Sequence, residues 1–187
     1  MQYASRARFA RTARLPHKWL HAAAIIALLN SCATVRTHVT PEGDMVLVRD
    51  EVMIRVPTRA MEILQSRVGG VLIDPYVLAQ SPTTGITLSA ALEEAVAGDC
   101  LEFHWARLMT MPGFDPENVR RGIRGQFQVV EYTLAQSPDP RLDQRNAIGC
   151  VTVEGATAFV HVSKVGYANQ DERLFVEAFD QSQVKSR

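Results

Sequence analysis

The stretch Thr87–Trp105, TLSAALEEAVAGDCLEFHW, carries two readings on which the architecture turns. Leu88, Ala91, Leu92, Ala95 and Val96 recur at the i, i+3, i+4, i+7, i+8 spacing of a buried helical stripe. Thr87 stands where a cap belongs and Gly98 where a helix closes, so the pattern predicts a helix over Leu88–Ala97. Asp99–Trp105 then changes period. Leu101, Phe103 and Trp105 alternate with Cys100, Glu102 and His104, which predicts a half-buried strand, with a helix as the alternative.

Toward the N-terminus, Met45–Val56 is rich in Val, Ile and Met, and Asp50-Glu51 near its middle predicts two short strands joined tightly, or one strand with a bulge. Thr58–Arg67 is expected to be a helix capped by Thr58 and ended at Gly69-Gly70, and Val71–Ile73 a short strand stopped by Asp74-Pro75. Toward the C-terminus, Asp115-Pro116-Glu117 has the composition of a helix opening, with Gly122 and Gly125 keeping that helix short. Gln126–Leu134 follows as a strand and Ser137–Asn146 as a surface loop. Cys150–Glu154, Ala156–Val165 and Arg173–Phe179 then predict a C-terminal three-stranded β-meander, turning at Gly155 and at residues 169–172. Without strict β-α-β alternation, the expectation is an α+β domain: a mostly antiparallel sheet with two or three helices on one face.

The first 31 residues have a different character. They hold five cations (Arg6, Arg8, Arg11, Arg14, Lys18) and no acid, leaving fifteen of the twenty cations against all twenty acids, a formal charge of −5, on residues 32–187. The basic segment precedes the apolar run Trp19–Leu29, too short for a spanning helix of about 20 residues and of the length of a signal-peptide core. Leu29-Asn30-Ser31-Cys32 then resembles the lipobox of bacterial lipoproteins: a branched aliphatic residue, a permissive position, a small residue and the cysteine. That resemblance implies that signal peptidase recognises Leu29 and Ser31 and cuts before Cys32, whose thiol carries the lipid and whose amine accepts a fatty acid such as palmitate. It also implies that Ala33, rather than Asp, sends the protein to the outer membrane, facing the periplasm. Two or more acyl chains, at about 0.8 kcal/mol per buried methylene, hold a protein firmly without spanning the bilayer. The expected organisation is a signal peptide over residues 1–31, a lipidated N-terminus and tether over 32–43, and one envelope domain over 44–187.

With Cys32 lipidated, Cys100 and Cys150 remain. In an oxidising compartment such a pair reads as a disulfide, against the alternative of two free thiols. No glycine-rich phosphate loop or Gly-x-Ser-x-Gly turn is present, and His38, His104 and His161 lack zinc-ligand spacing, so no metal and no cofactor is expected. Cys100, Glu102 and His104 share one face of the expected strand, as the wet side of a strand does. A charge of −5 beyond the signal argues against nucleic acid, and Arg120, Arg121 and Arg124 beside a short helix read as a solvated face.

Gly98-Asp99-Cys100 followed by His161-Val162 resembles papain-like cell-wall peptidases of the NlpC type, in which Asp-Cys opens a helix and a His-Val-Gly strand supplies the base. The resemblance implies Cys100 as nucleophile, His161 as base, and Asn169 or Glu177 as the group orienting the imidazole. Leu101-Glu102 stand where that family has Ser-Gly, and Ser163 where it has Gly. The leading expectation is instead a non-catalytic binding or structural role in an envelope assembly. The partners expected are the membrane, through the lipid anchor, and an envelope protein or ligand. Candidate surfaces are the outer side of the meander (Thr157, His161, Ser163, Glu177) and the loop Met109–Phe114.

Overall fold

The computed structural model describes residues 35–64, 67–68, 71–72, 76–112, 114–135 and 143–186. The signal segment, the lipobox and Cys32 lie outside the described residues, as does most of the loop expected over Ser137–Asn146. In chain order the strands begin with β1 (Arg36–Val39), β2 (Met45–Arg49), β3 (Val52–Val56), β4 (Glu62–Leu64), β5 (Arg67–Val68), β6 (Val71–Leu72), β7 (Tyr76–Gln80) and β8 (Thr87–Glu94). Helix α1 (Cys100–Met109) follows, then β9 (Pro116–Arg124), β10 (Phe127–Leu134), β11 (Gln144–Val153) and β12 (Ala156–Val165), and finally α2 (Glu172–Asp180) and β13 (Gln183–Ser186).

These strands form a seven-stranded antiparallel sheet in the order β4-β7-β8-β12-β11-β10-β9, a four-stranded sheet in the order β1-β2-β3-β13, and a small β5-β6 ribbon. β1 falls within the segment read as a tether. The large sheet is buried on both sides over its middle. On its inner face Leu88, Ala90, Leu92, Val129, Ala158, Val160 and Val162 pack with Leu47, Ile54 and Val56 of the small sheet and with Phe175 and Phe179 of α2 in one apolar core. On its outer face Ala91, Val130, Tyr132, Ile148, Cys150 and Phe159 pack under Cys100 and Leu101 of α1. Gly149 makes room for α2: a Cβ there would lie 2.6 Å from a ring carbon of Phe179.

The α+β expectation is corrected: the molecule is mostly β, with two α-helices on opposite faces of the large sheet. Leu88–Ala97 is not a helix but largely β8, paired in register with β12 (Leu88↔Val162, Leu92↔Ala158) and with β7. A central strand buried on both faces reads as a continuous apolar run, and its small alanines fit a helical stripe by coincidence. Conversely, Asp99–Trp105 is no strand. Cys100, Leu101 and His104 are buried on one side of α1, and Phe103, expected to point inward, is 41% exposed.

Thr58–Arg67 holds a turn and two short strands in place of the expected helix. The Asp115-Pro116-Glu117 opening leads into β9, with Pro116 as the first residue of an edge strand, where its missing N–H costs no ladder bond. The third strand of the meander, Arg173–Phe179, is α2, whose Phe175, Ala178 and Phe179 form an i, i+3, i+4 stripe against the core. The two joined strands of Met45–Val56, the strand of Gln126–Leu134 and the β11–β12 hairpin stand as expected, although β11 begins at Gln144, inside the expected loop.

Candidate functional site

α1 and the sheet beneath it gather most of the residues with chemical potential. The helix begins where it does because the Asp99 side chain accepts hydrogen bonds from the backbone N–H groups of Leu101 (2.9 Å) and Glu102 (3.0 Å). The Gln128 amide, in the orientation that satisfies both groups, donates to the same carboxylate from β10 at 3.0 and 2.9 Å. Cys100, the first helical residue, is bonded to Cys150 on β11, and both are buried. The bridge closes a separation of 50 residues and clamps the start of α1 to the middle of the large sheet.

Farther along the helix, Trp105, Phe114 and Tyr132 form an edge-to-face triad with ring centroids 5.4–5.8 Å apart. His104 packs on Phe159 at 4.7 Å, and its buried Nε2 has no hydrogen-bond partner among the described residues. Desolvation, with the positive charge of Arg107 adding to it, pushes this imidazole down to about 4, so it is neutral at ordinary pH. His161 lies two residues beyond Phe159 on the same face of β12. Its Nε2 is 3.1 Å from Asn146 Oδ1, and Asn146 donates to the Gln144 carbonyl at 3.0 Å. Burial likewise lowers His161 to about 4.

The structure does not assemble Cys100, His161 and Glu177. The Cys100 sulfur is committed to the bridge and His161 to Asn146, while Glu177 sits on α2, across the sheet, and accepts from Arg173 at 2.6 Å. Thr157 and Ser163, offered as an exposed surface, are buried. Cys100, Glu102 and His104 are placed on a helix rather than a strand face, and among the described residues no group of three or more His, Cys, Asp or Glu is arranged to hold a metal.

Arg120, Arg121 and Arg124 lie on strand β9 rather than next to the short helix expected there, and β9, like β4, is an outermost strand of the large sheet among the described residues. Arg121 pairs with Glu102 of α1 and stacks over Trp105, 6.0 Å from the ring centroid. Arg124 reaches Glu131 (3.3 Å) and Glu172 (3.6 Å), whereas Arg120 makes no ion pair among the described residues. Between β9 and the start of α1 runs a shallow groove lined by Leu101, Glu102, Arg121, Gly122 and Ile123. Ile123 is 77% exposed, Val119 43% and Met109 50%. Reading Asp115–Glu117 as a helix start hid this edge. The signal for it was the two-residue turn Gly125-Gln126 between Arg124 and Phe127.

No protein-family model matches the chain, and no curated protein matches it in sequence. Among solved structures it is similar to the solution structure of cyanobacterial PsbP (CyanoP) from Synechocystis sp. PCC 6803, at 13% identity over 84% of this chain and 99% of that chain, with a TM-score of 0.46. It is also similar to LpqN of Mycobacterium tuberculosis, described as involved in cell envelope biogenesis, at 11% identity over 83% of this chain and 92% of that chain, with a TM-score of 0.41.

Proposed function

We propose that the chain is a lipid-anchored protein of a bacterial cell envelope, attached through Cys32 at the outer membrane and facing the periplasm. Its domain works there by binding an envelope protein or ligand rather than by catalysis. The observation that carries the reading is the Cys100–Cys150 bridge. Disulfides persist in exported proteins and are rare in reducing compartments, which agrees with the basic segment, apolar run and lipobox that precede the domain. The same bond occupies the thiol that a papain-like mechanism would need as a thiolate. Neutral, desolvated His161 bonded to Asn146 is the state of a packed histidine rather than of one paired with a nucleophile.

The test is metabolic labelling of the full chain in a bacterial host with an alkyne analogue of palmitate, followed by membrane fractionation. The chain is expected in the membrane fraction and labelled, with both properties lost in Cys32→Ser. An unlabelled, soluble wild-type chain overturns the anchor. Rapid alkylation of Cys100 without reductant overturns the bridge and returns the thiol-peptidase reading.

A further inference from the structure

From the edge of β9, which pairs with no second strand among the described residues, we infer a docking site for one kind of partner: an extended protein segment of alternating acidic and apolar residues that adds as an eighth strand to the large sheet. This deepens the binding role proposed above by naming the surface and the chemistry of its occupant.

The geometry follows from the hairpin. Arg124 and Phe127 flank a two-residue turn that starts at Gly125 (φ +54), and the register runs on through Gly122↔Val129 and Arg120↔Glu131. In an antiparallel ladder alternate residues bond to the neighbouring strand. Arg124, Gly122 and Arg120 therefore turn their peptide groups toward β10, while Ile123 and Arg121 aim theirs outward. The pairing with β10 shifts register between Glu131 and Thr133, and Asn118 opposite has a positive φ of 53°. This bulge confines the regular open edge to Val119–Arg124.

Charge selects the occupant. Val119–Arg124 holds three arginines and no acid, on a chain whose residues 32–187 carry −5. Arg121 already pairs with Glu102 and Arg124 with Glu131 and Glu172, so of the three Arg120 is the one without an ion pair among the described residues. A second copy pairing antiparallel through the same edge would set arginines against arginines, which is unfavourable across strands. An acidic segment meets the opposite condition. Arg120 and Arg124 lie on one face of β9, and Ile123 and the Glu102-paired Arg121 on the other, so an added strand with acids at every second position places a carboxylate beside Arg120 and apolar side chains beside Ile123.

The experiment uses the full chain in detergent and a fluorescein-labelled octapeptide of alternating Glu and Val, followed by anisotropy, with an alternating Lys–Val octapeptide as comparison. Saturable binding of the Glu–Val peptide is expected, weakening as salt is added. Ile123→Pro, which removes an outward N–H and no ladder bond, and Arg120→Glu are each expected to weaken it by about tenfold or more. N-methylation of alternate peptide residues, which leaves the protein untouched, is expected to have the same effect in one of its two registers.

Equal binding of both peptides, or insensitivity to Ile123→Pro and to N-methylation alike, overturns the proposal. So does self-association of the chain that Ile123→Pro abolishes, because a second copy then fills the edge. Peptide binding is read separately from lipid labelling, so failure of the edge leaves the anchor standing, and failure of the anchor leaves the edge.

Discussion

The two helices lie on opposite faces of one sheet and are held there by different physics. α2 is seated by burial: Phe175 and Phe179 enter the core between the two sheets, and Phe179 meets Phe127 edge-to-face at 5.9 Å. Ion pairs add to this at its start, through Lys164–Asp171 (2.7 Å) just before the helix and Arg124–Glu172 (3.6 Å) at its first residue. α1 buries little beyond Cys100, Leu101 and His104, and depends on a capping carboxylate, an aromatic triad and a covalent bond. The difference teaches that a helix on the face of a sheet can be fixed with a small apolar payload when a cross-link supplies the rest. Reductant should therefore separate the two faces.

The largest effect is expected on the α2 side. Phe179→Ala should cost roughly 3–5 kcal/mol in guanidinium unfolding, because a fully buried aromatic leaves both a transfer loss and a cavity. A cost below about 1 kcal/mol would mean that α2 is not seated by burial. Next, Cys100→Ala with Cys150→Ala should lower stability by up to about 4 kcal/mol in the chain-entropy account of a loop closed over a separation of 50 residues. Hydrogen exchange should quicken in α1 and not in α2; equal quickening in both would erase the contrast.

Acid should also act on the α1 face. His104 and His161 titrate near 4 in the fold, below the usual value of about 6.5, so the unfolded chain binds more protons in mild acid. The stability these neutral rings allow is fully present above about pH 6.5 and is lost as the pH falls toward 4. By pH 5.5 the loss should reach roughly 2–3 kcal/mol for the two together, and His104→Leu should remove about half of that slope in unfolding measured against pH. An unchanged slope would place the titration elsewhere. The smallest effect belongs to the cap: Asp99→Ala should cost about 1 kcal/mol and fray the first turn of α1, seen in amide exchange at Leu101 and Glu102.

Strand pairs joined by tight turns were legible in the chain. The β2–β3 hairpin follows from apolar residues on either side of Asp50-Glu51, and the β11–β12 hairpin from β-branched runs around Gly155. The pairing of Cys100 with Cys150 was legible too, because it rests on counting the cysteines beyond residue 32. The exchanged identities of β8 and α1 were not. Leu88, Ala91 and Leu92 satisfy a helical stripe and a doubly buried strand alike, and Leu101, Phe103 and Trp105 satisfy an alternation that the helix breaks by exposing Phe103.

The same ambiguity hid α2 and the outer strand β9. Phe175 and Phe179 had meaning only once Gly149 opened a space for the ring, and Pro116–Arg124 became a strand only because β10 stood beside it. Sequence alone thus determined what is local or countable: tight turns, the charge asymmetry along the chain and the two cysteines that pair. Tertiary structure decided which segments became the centre, the rim and the lids of the sheet. That choice rests on the apolar area each segment can bury against distant neighbours, which outweighs the few tenths of a kcal/mol per residue by which local propensities differ.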